Sequence, residues 1–163
     1  MRRILLFGNS GSGKSTLAAR LASEATLAHL DLDSLAWLPT EPPQRMPLVE
    51  SKILIDEFIE KNDSWVIEGC YTDLLDMLAV VATELVFLNL SIDQCLENAR
   101  NRPWEPHKYP SKQAQDANLE MLLGWIAQYE KREDVFSLSA HIEFYEGFSG
   151  TKTRILSNEH SFS

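Results

Sequence analysis

Eight residues near the start of the chain, Gly8-Asn9-Ser10-Gly11-Ser12-Gly13-Lys14-Ser15, match the pattern G-x-x-x-x-G-K-[ST] in full. They follow a short apolar run, Arg3 to Phe7, and open a stretch of helical spacing from about Gly13 to Ser23, with Leu17 and Leu21 on one face. Strand, glycine-rich loop and helix in that order restrict the chain to an α/β fold whose first strand is buried. Glycines at 8, 11 and 13 let the backbone wrap closely round a phosphate without Cβ clashes. The amides of the loop, from Gly8 through Asn9, Ser10, Gly11, Ser12 and Gly13 to Lys14, Ser15 and Thr16, then form an anion-binding nest at a positive helix end. Lys14 adds a full charge for the β- and γ-phosphates, and the Ser15 hydroxyl is placed to ligate Mg²⁺. The expected ligand is a nucleoside triphosphate, MgATP. A glycine-rich turn with no ligand is the bland alternative.

The rest of the chain repeats a short apolar run followed by a helical stretch, the pattern of a parallel sheet with helices on both faces. A second strand over Ala28 to Leu30 ends at Asp31-Leu32-Asp33, and Pro39 to Pro47 is a connection too broken for regular structure. Pro47 opens a helix reaching about Lys61. The third strand is Trp65 to Glu68, stopped by Gly69; a short helix over Asp73 to Val81 leads to a fourth, Leu85 to Leu90. Ser91 and Gln94 read as a capping box for a helix ending near Arg100. Asn101 to Ser111, with three prolines, is a loop; Lys112 to Lys131 a long helix; His141 to Tyr145 the last strand. The tail after Gly150 is undecided.

Composition narrows the partners. At 163 residues and 18.5 kDa the chain suits one compact domain. A net charge of −9 repels a phosphate backbone, so direct nucleic-acid binding is disfavoured and an anionic ligand needs a local cluster of donors. No apolar stretch approaches the roughly 18 residues of a membrane span, and a cytoplasmic protein is expected. Cys70 and Cys95 fit no metal-ligand spacing, nor do His29, His107, His141 and His160. The oligomeric state is not legible. Motor, transporter and AAA-type ATPases are expected to need larger domains. A GTPase would carry Asn-Lys-x-Asp after a late strand, where this chain has Asn89-Leu90-Ser91-Ile92-Asp93.

The phosphate loop, the Asp31/Asp33 pair ending strand two, Glu68-Gly69 ending strand three and Arg102-Pro103 opening a proline-rich loop resemble the P-loop small-molecule and nucleoside-monophosphate kinases, which include adenylate kinase and shikimate kinase. Asp33 followed by Trp37, the run from Trp65 to Tyr71, and Trp125, Tyr129 and Arg132 look most like a branch labelled "topology modulation" proteins. The resemblance implies a P-loop NTPase fold with a five-stranded parallel sheet in the order 2-3-1-4-5, an acceptor-binding region over about residues 34–61 and a small lid over about 101–112. By the same likeness Asp31 holds the Mg²⁺ hydration shell, and Asp33 meets the acceptor hydroxyl and acts as base. Glu68 and Gly69 face the acceptor or a Mg²⁺-bound water. Arg102 lies on the adenine or reaches the phosphates, so Lys14, Asp33 and Arg102 are the catalytic candidates. Arg132 meets an anionic acceptor group or the transferring phosphoryl. Adenylate kinase has Asp-Gly-Phe-Pro-Arg where this chain has Glu68-Gly69-Cys70-Tyr71-Thr72, and shikimate kinase has three glycines after strand three where this chain has one. The acceptor class therefore stays open among nucleotide-, nucleoside- and shikimate-like molecules.

Each candidate has a plainer reading. Asp31 and Asp33 alternate with leucines and could be solvated at a strand end; Glu68 could be a buried, hydrogen-bonded carboxylate. Arg100 and Arg102 could complement a helix C-terminus, and Arg132 could be a helix-end cation. The tryptophans and Tyr71 suit a core or a cleft wall. Transfer of the γ-phosphoryl of MgATP to a small acceptor is the expected activity. A nucleotide-dependent regulator and a slow NTPase without an acceptor are the rivals.

Overall fold

The computed structural model describes residues 1–158. In chain order it contains β1 (Arg3–Gly8), α1 (Lys14–Ala25), β2 (Ala28–Asp31), a 3-10 turn (Leu32–Ser34), β3 (Trp37–Leu38), β4 (Gln44–Arg45), α2 (Leu48–Lys61), β5 (Trp65–Gly69) and α3 (Thr72–Leu78). It continues with β6 (Glu84–Leu88), α4 (Ile92–Arg100), α5 (Lys112–Ala127), α6 (Leu138–Gly147) and β7 (Thr151–Ile155). Five strands pair in parallel as β2-β5-β1-β6-β7, which is the expected order 2-3-1-4-5. β3 and β4 form a small antiparallel hairpin; β4 lies within Pro39 to Pro47, where no regular structure was expected.

The central strand explains its own sequence. In β1, Leu5 and Phe7 point into one hydrophobic layer, while Ile4 and Leu6 point into the other, and all four are fully buried. Helices on both faces leave no polar side for alternation, so the strand reads as one continuous apolar run. The first layer joins Leu5, Phe7, Trp65, Ile67, Leu85 and Phe87 to Ile55 of α2, Leu74 and Leu75 of α3 and Phe144 of α6. The second joins Ile4, Leu6, Val66, Val86 and Leu88 to Ala18 and Leu21 of α1, Cys95 of α4 and Ile126 of α5. Each fully buried aliphatic or aromatic side chain contributes about 1.5–3 kcal/mol relative to exposure.

Two expectations are corrected. His141 to Tyr145 is helical and lies inside α6, not in a strand. The Ser137 hydroxyl accepts from the Ala140 N–H and caps the helix, and the two buried residues, His141 and Phe144, stand three apart. A five-residue apolar run fits either period, and the cap decides it. The fifth strand is instead β7, whose first four residues, Thr151 to Arg154, are exposed on the sheet edge and carry no apolar signature. The long helix also stops at Ala127, short of Lys131. His160 and the end of the tail lie outside the described residues. Among the described residues no helix is long and apolar enough to cross a membrane.

Because all five strands run the same way, their carboxyl ends share one edge. That edge receives the loop after β1, Asp31 at the end of β2, Glu68-Gly69 from β5 and the segment following β7.

Candidate functional site

The loop between β1 and α1 has a backbone that only glycine adopts readily at two points. Gly11 has φ 79°, and a Cβ there would collide with the carbonyl oxygen of Cys95 on α4. Gly13, with φ 90°, is the N-cap of α1. Side-chain amides pin the loop from outside: Asn98 Nδ2 donates to the Gly11 carbonyl at 2.9 Å and Asn158 Nδ2 to the Ser12 carbonyl at 3.0 Å. The two asparagines are joined by a 2.7 Å bond from Asn98 Nδ2 to Asn158 Oδ1. In a trans peptide C=O and N–H point opposite ways, so fixing the Ser12 carbonyl also fixes the direction of the Gly13 N–H. Lys14 Nζ donates to the Asn9 carbonyl at 2.8 Å, and Asn9 Nδ2 to the Ile126 carbonyl at 3.3 Å. The Ser12 hydroxyl is buried with no partner among the described residues.

Three carboxylates arrive from β2 and β5. Glu68 is 2% exposed and uses both oxygens: Oε1 accepts from the Ser15 hydroxyl at 2.7 Å, and Oε2 faces His29 Nε2 at 2.5 Å. That bond to Glu68 raises the His29 imidazole above its ordinary pKa, outweighing the opposing effect of burial. Asp31 caps the 3-10 turn by accepting from the Asp33 N–H at 2.9 Å. Burial, and then the neighbouring Asp33 and Glu68, push the Asp31 carboxyl up. Asp33 goes the other way. Burial pushes it up, but Lys108, the Tyr71 hydroxyl and Lys14 together hold it below the usual carboxylate range.

Lys108 comes from the loop between α4 and α5. Its ammonium lies 3.2 Å from Asp33 Oδ2, 3.6 Å from Glu105 Oε2 and 3.8 Å from Asp31 Oδ2. On the other side of Asp33, the Tyr71 hydroxyl donates to Oδ1, and Trp37 Nε1 donates to the Tyr71 oxygen at 2.8 Å.

The loop, the three carboxylates and Lys108 border one cavity of about 820 Å³, within the range that small-molecule and cofactor sites occupy; Tyr71, Trp37 and His29 stand behind that border. Most of the candidate residues read from sequence line it: Ser10, Gly11 and Gly13 to Thr16 in the loop, then Asp31, Asp33, Glu68, Gly69 and Arg102. Gly8, Asn9 and Ser12 shape the loop from behind without lining the cavity. Arg102 Nε also pairs with Glu105 at 3.2 Å. Arg132 does not line the cavity. Its guanidinium lies 3.2 Å from the centre of the Trp125 ring and is paired with Asp134 at 2.8 Å. His107 is exposed at the surface, 3.5 Å from Glu105, and Lys112 pairs outside with Asp116.

Some participants escaped the sequence reading. His29, Asn98 and Asn158 sit at positions whose neighbours carry no motif, and only the fold brings them to Glu68 and to the phosphate loop. Trp37 and Tyr71 were visible as a pattern, but their bond to one another and to Asp33 was not.

Among the described residues no three His, Cys, Asp or Glu side chains converge into a protein-only metal site. A Mg²⁺ ion, which keeps several waters and shares itself with phosphate oxygens, fits the sparser set of the Ser15 hydroxyl and Asp31.

Comparison with known proteins agrees with this fold. A family model described as "AAA domain" matches residues 4–119. The expectation that an AAA-type domain would be too large for this chain is thereby corrected, since the match runs from β1 into α5. "Uncharacterized protein YqaC" of Bacillus subtilis (strain 168) is 32% identical over 109 residues, covering 64% of this chain and 58% of that protein. The chain therefore spans less than two thirds of this relative's length. A shikimate kinase from Bacteroides thetaiotaomicron superposes with a TM-score of 0.52 at 18% identity, covering 87% of this chain and 94% of that one. A gluconokinase from Sinorhizobium meliloti 1021 gives 0.51 at 18% identity, covering 94% and 82%. At that identity the two structures speak for the fold alone, an α/β fold built on a parallel sheet. With more than half of the chain matched, residues 4–119, the chain belongs to the AAA domain family of P-loop proteins.

Proposed function

We propose that the protein transfers the γ-phosphoryl group of MgATP to a hydroxyl of a small-molecule acceptor. The observation that carries this reading is Asp33: a carboxylate held ionised on the wall shared with the phosphate loop, next to the Asp31 that the metal would use. Hydrolysis alone gives no reason for a second carboxylate fixed by its own tyrosine and tryptophan. The motif pairing Asp33 with Trp37, and the run Trp65 to Tyr71, support placing the chain in the "topology modulation" branch.

In this reading the loop amides from Gly8 to Thr16 and Lys14 bind the phosphates, Lys14 leaving the Asn9 carbonyl to do so. Ser15 and Asp31 would hold Mg²⁺, which when bound neutralises charge on the β- and γ-oxygens. Glu68 orients Ser15 through its 2.7 Å bond. Asp33 takes the proton of the acceptor hydroxyl as the new O–P bond forms and the bond to the ADP oxygen breaks. The acceptor lies between Asp33, Gly69 and residues 34–61. Residues 101–112 act as the lid, closing over the cavity with Arg102 and Lys108 and excluding water.

The test follows labelled γ-phosphate from MgATP against a panel of nucleosides, nucleoside monophosphates, sugar acids, shikimate and small alcohols. Label on one acceptor, lowered by about 10²-fold or more in Lys14→Ala with the fold intact, is the expected result. Undiminished turnover in that variant would sink the assignment.

A nucleotide-dependent switch, or a slow NTPase, is the second reading, and one observation favours it. Lys108 bonds to the candidate base itself, so the lid is already docked on Asp33 and Asp31. Label released only as inorganic phosphate would move the weight there.

A further inference from the structure

The hydrogen bonds beside the cavity form a chain with a direction. An indole N–H can only donate, so Trp37 Nε1 must give its proton to the Tyr71 oxygen, 2.8 Å away. The Tyr71 hydroxyl proton is then left for Asp33 Oδ1. Nothing lets the phenol turn away. Tyr71 is 2% exposed, its ring meets Phe136 edge-on at 5.3 Å, and the Arg45 guanidinium lies 4.8 Å from its centre. Arg45 is itself fixed: one terminal nitrogen donates to both Asp73 oxygens, at 3.1 and 3.2 Å, and its Nε donates to the Ala36 carbonyl. The remaining oxygen of Asp33, Oδ2, is the one that faces Lys108 from the lid.

We propose that Tyr71 is a positioning residue for Asp33, clamping Oδ1 so that Oδ2 alone is presented to the acceptor, with Trp37 setting the polarity of the clamp. This rests on the phosphoryl-transfer reading and gives two residues that stand behind the cavity wall a defined task. A carboxylate in reach of a hydroxyl must be held to about 0.5 Å to act as a base in the productive complex. Displacing it by about 1 Å costs on the order of 100-fold in rate. Asp33 sits on a 3-10 turn of three residues, a short support that leaves its side chain to be fixed by its partners. The Tyr71 bond supplies that fixing and comes from a different strand end, so the positions of β2 and β5 in the sheet set the aim of the base. Packing alone is the competing account, and Tyr71→Phe separates the two because it keeps the ring and removes only the donor.

The experiment measures kcat and KM for wild type, Tyr71→Phe, Trp37→Phe, Asp33→Asn and the Tyr71→Phe/Asp33→Asn double variant, with the acceptor found in the panel. Tyr71→Phe is expected to lower kcat about tenfold while leaving KM for MgATP within about twofold, with a smaller loss in Trp37→Phe. In the Asp33→Asn background Tyr71→Phe should cost nothing further. Unchanged kcat in Tyr71→Phe, or losses that multiply in the double variant, overturn the proposal. A second readout does not need turnover: the NMR resonance of the Trp37 indole N–H should move in Tyr71→Phe and also in Asp33→Asn. Wild-type protein that phosphorylates no acceptor removes the phosphoryl-transfer reading. The clamp then stands if the indole resonance follows Asp33→Asn, and falls if it does not.

Discussion

Lowering the pH from 6.5 towards 4 sets a charge against the packing around His141. This residue is fully buried in α6, with the rings of Phe7 and Phe87 centred 5.6 and 6.0 Å away. Its Nε2 donates to the Cys70 carbonyl at 2.9 Å, so Nδ1 is the acceptor and the Tyr129 hydroxyl, 2.6 Å away, is its donor. The neutral ring is thus satisfied at both nitrogens, and burial holds its pKa down to about 4 against an ordinary 6.5. The sign follows from which state binds the proton. Below 6.5 the unfolded chain takes it up while the folded one does not, so stability falls with falling pH until about 4 and levels off there. The window spans about 2.5 pH units, at about 1.4 kcal/mol per unit, giving a loss of about 3 kcal/mol. That is a large fraction of the 5–15 kcal/mol typical of a domain. Urea unfolding of wild type and His141→Gln between pH 7 and 4.5 isolates it, because every other group titrates alike in both proteins. Wild type should lose stability more steeply by about 1 kcal/mol per unit at mid-window. Parallel curves would refute the assignment of a neutral, buried imidazole.

Three further perturbations follow from the same geometry. Gly11→Ala places a Cβ on a residue with φ 79° and against the Cys95 carbonyl. It should cost at least about 1–2 kcal/mol, lower the thermal midpoint by roughly 5 °C and abolish MgATP binding by calorimetry. Glu68→Gln removes the charge facing His29; the NMR titration of His29 should shift to lower pH, and more Mg²⁺ should be needed for half-maximal activity. Arg132→Met loses the stack on Trp125 and the pair with Asp134, for about 1–2 kcal/mol in unfolding experiments, with KM for the acceptor unmoved. A tenfold rise in that KM would return Arg132 to the acceptor site.

The legible part of this protein is the part where local chemistry and fold make the same demand. Gly11 and Gly13 need positive φ, Lys14 and Ser15 follow at fixed offsets, and β1 must be apolar on both faces, so one short stretch of sequence carried loop, strand and helix together. Asp31, Asp33 and Glu68 were readable because strand ends are where such sheets bind ligands. β7 was not, since an edge strand of Thr, Lys and Arg meets only one neighbour and needs no apolar alternation. α6 was misread because Ile142, Phe144 and Tyr145 crowd a run too short to show its period. Arg132 was drawn to the acceptor by likeness of pattern. Its burial against Trp125 depends on where α5 ends, four residues earlier than its spacing suggested.

The asparagine braces have a consequence for the order in which the molecule is made. The phosphate loop emerges almost at once, but the amide that holds the Ser12 carbonyl belongs to a residue 146 positions later. At roughly 5–20 residues per second, that partner arrives on the order of ten seconds after the loop. Until then β6 has no β7 beside it, and the loop lacks the brace on the Ser12 carbonyl that fixes the Gly13 N–H. A nucleotide in the surrounding solution therefore has little to grip on the growing chain. It stabilises the finished sheet, and acts by mass action on folded molecules rather than as a template during synthesis.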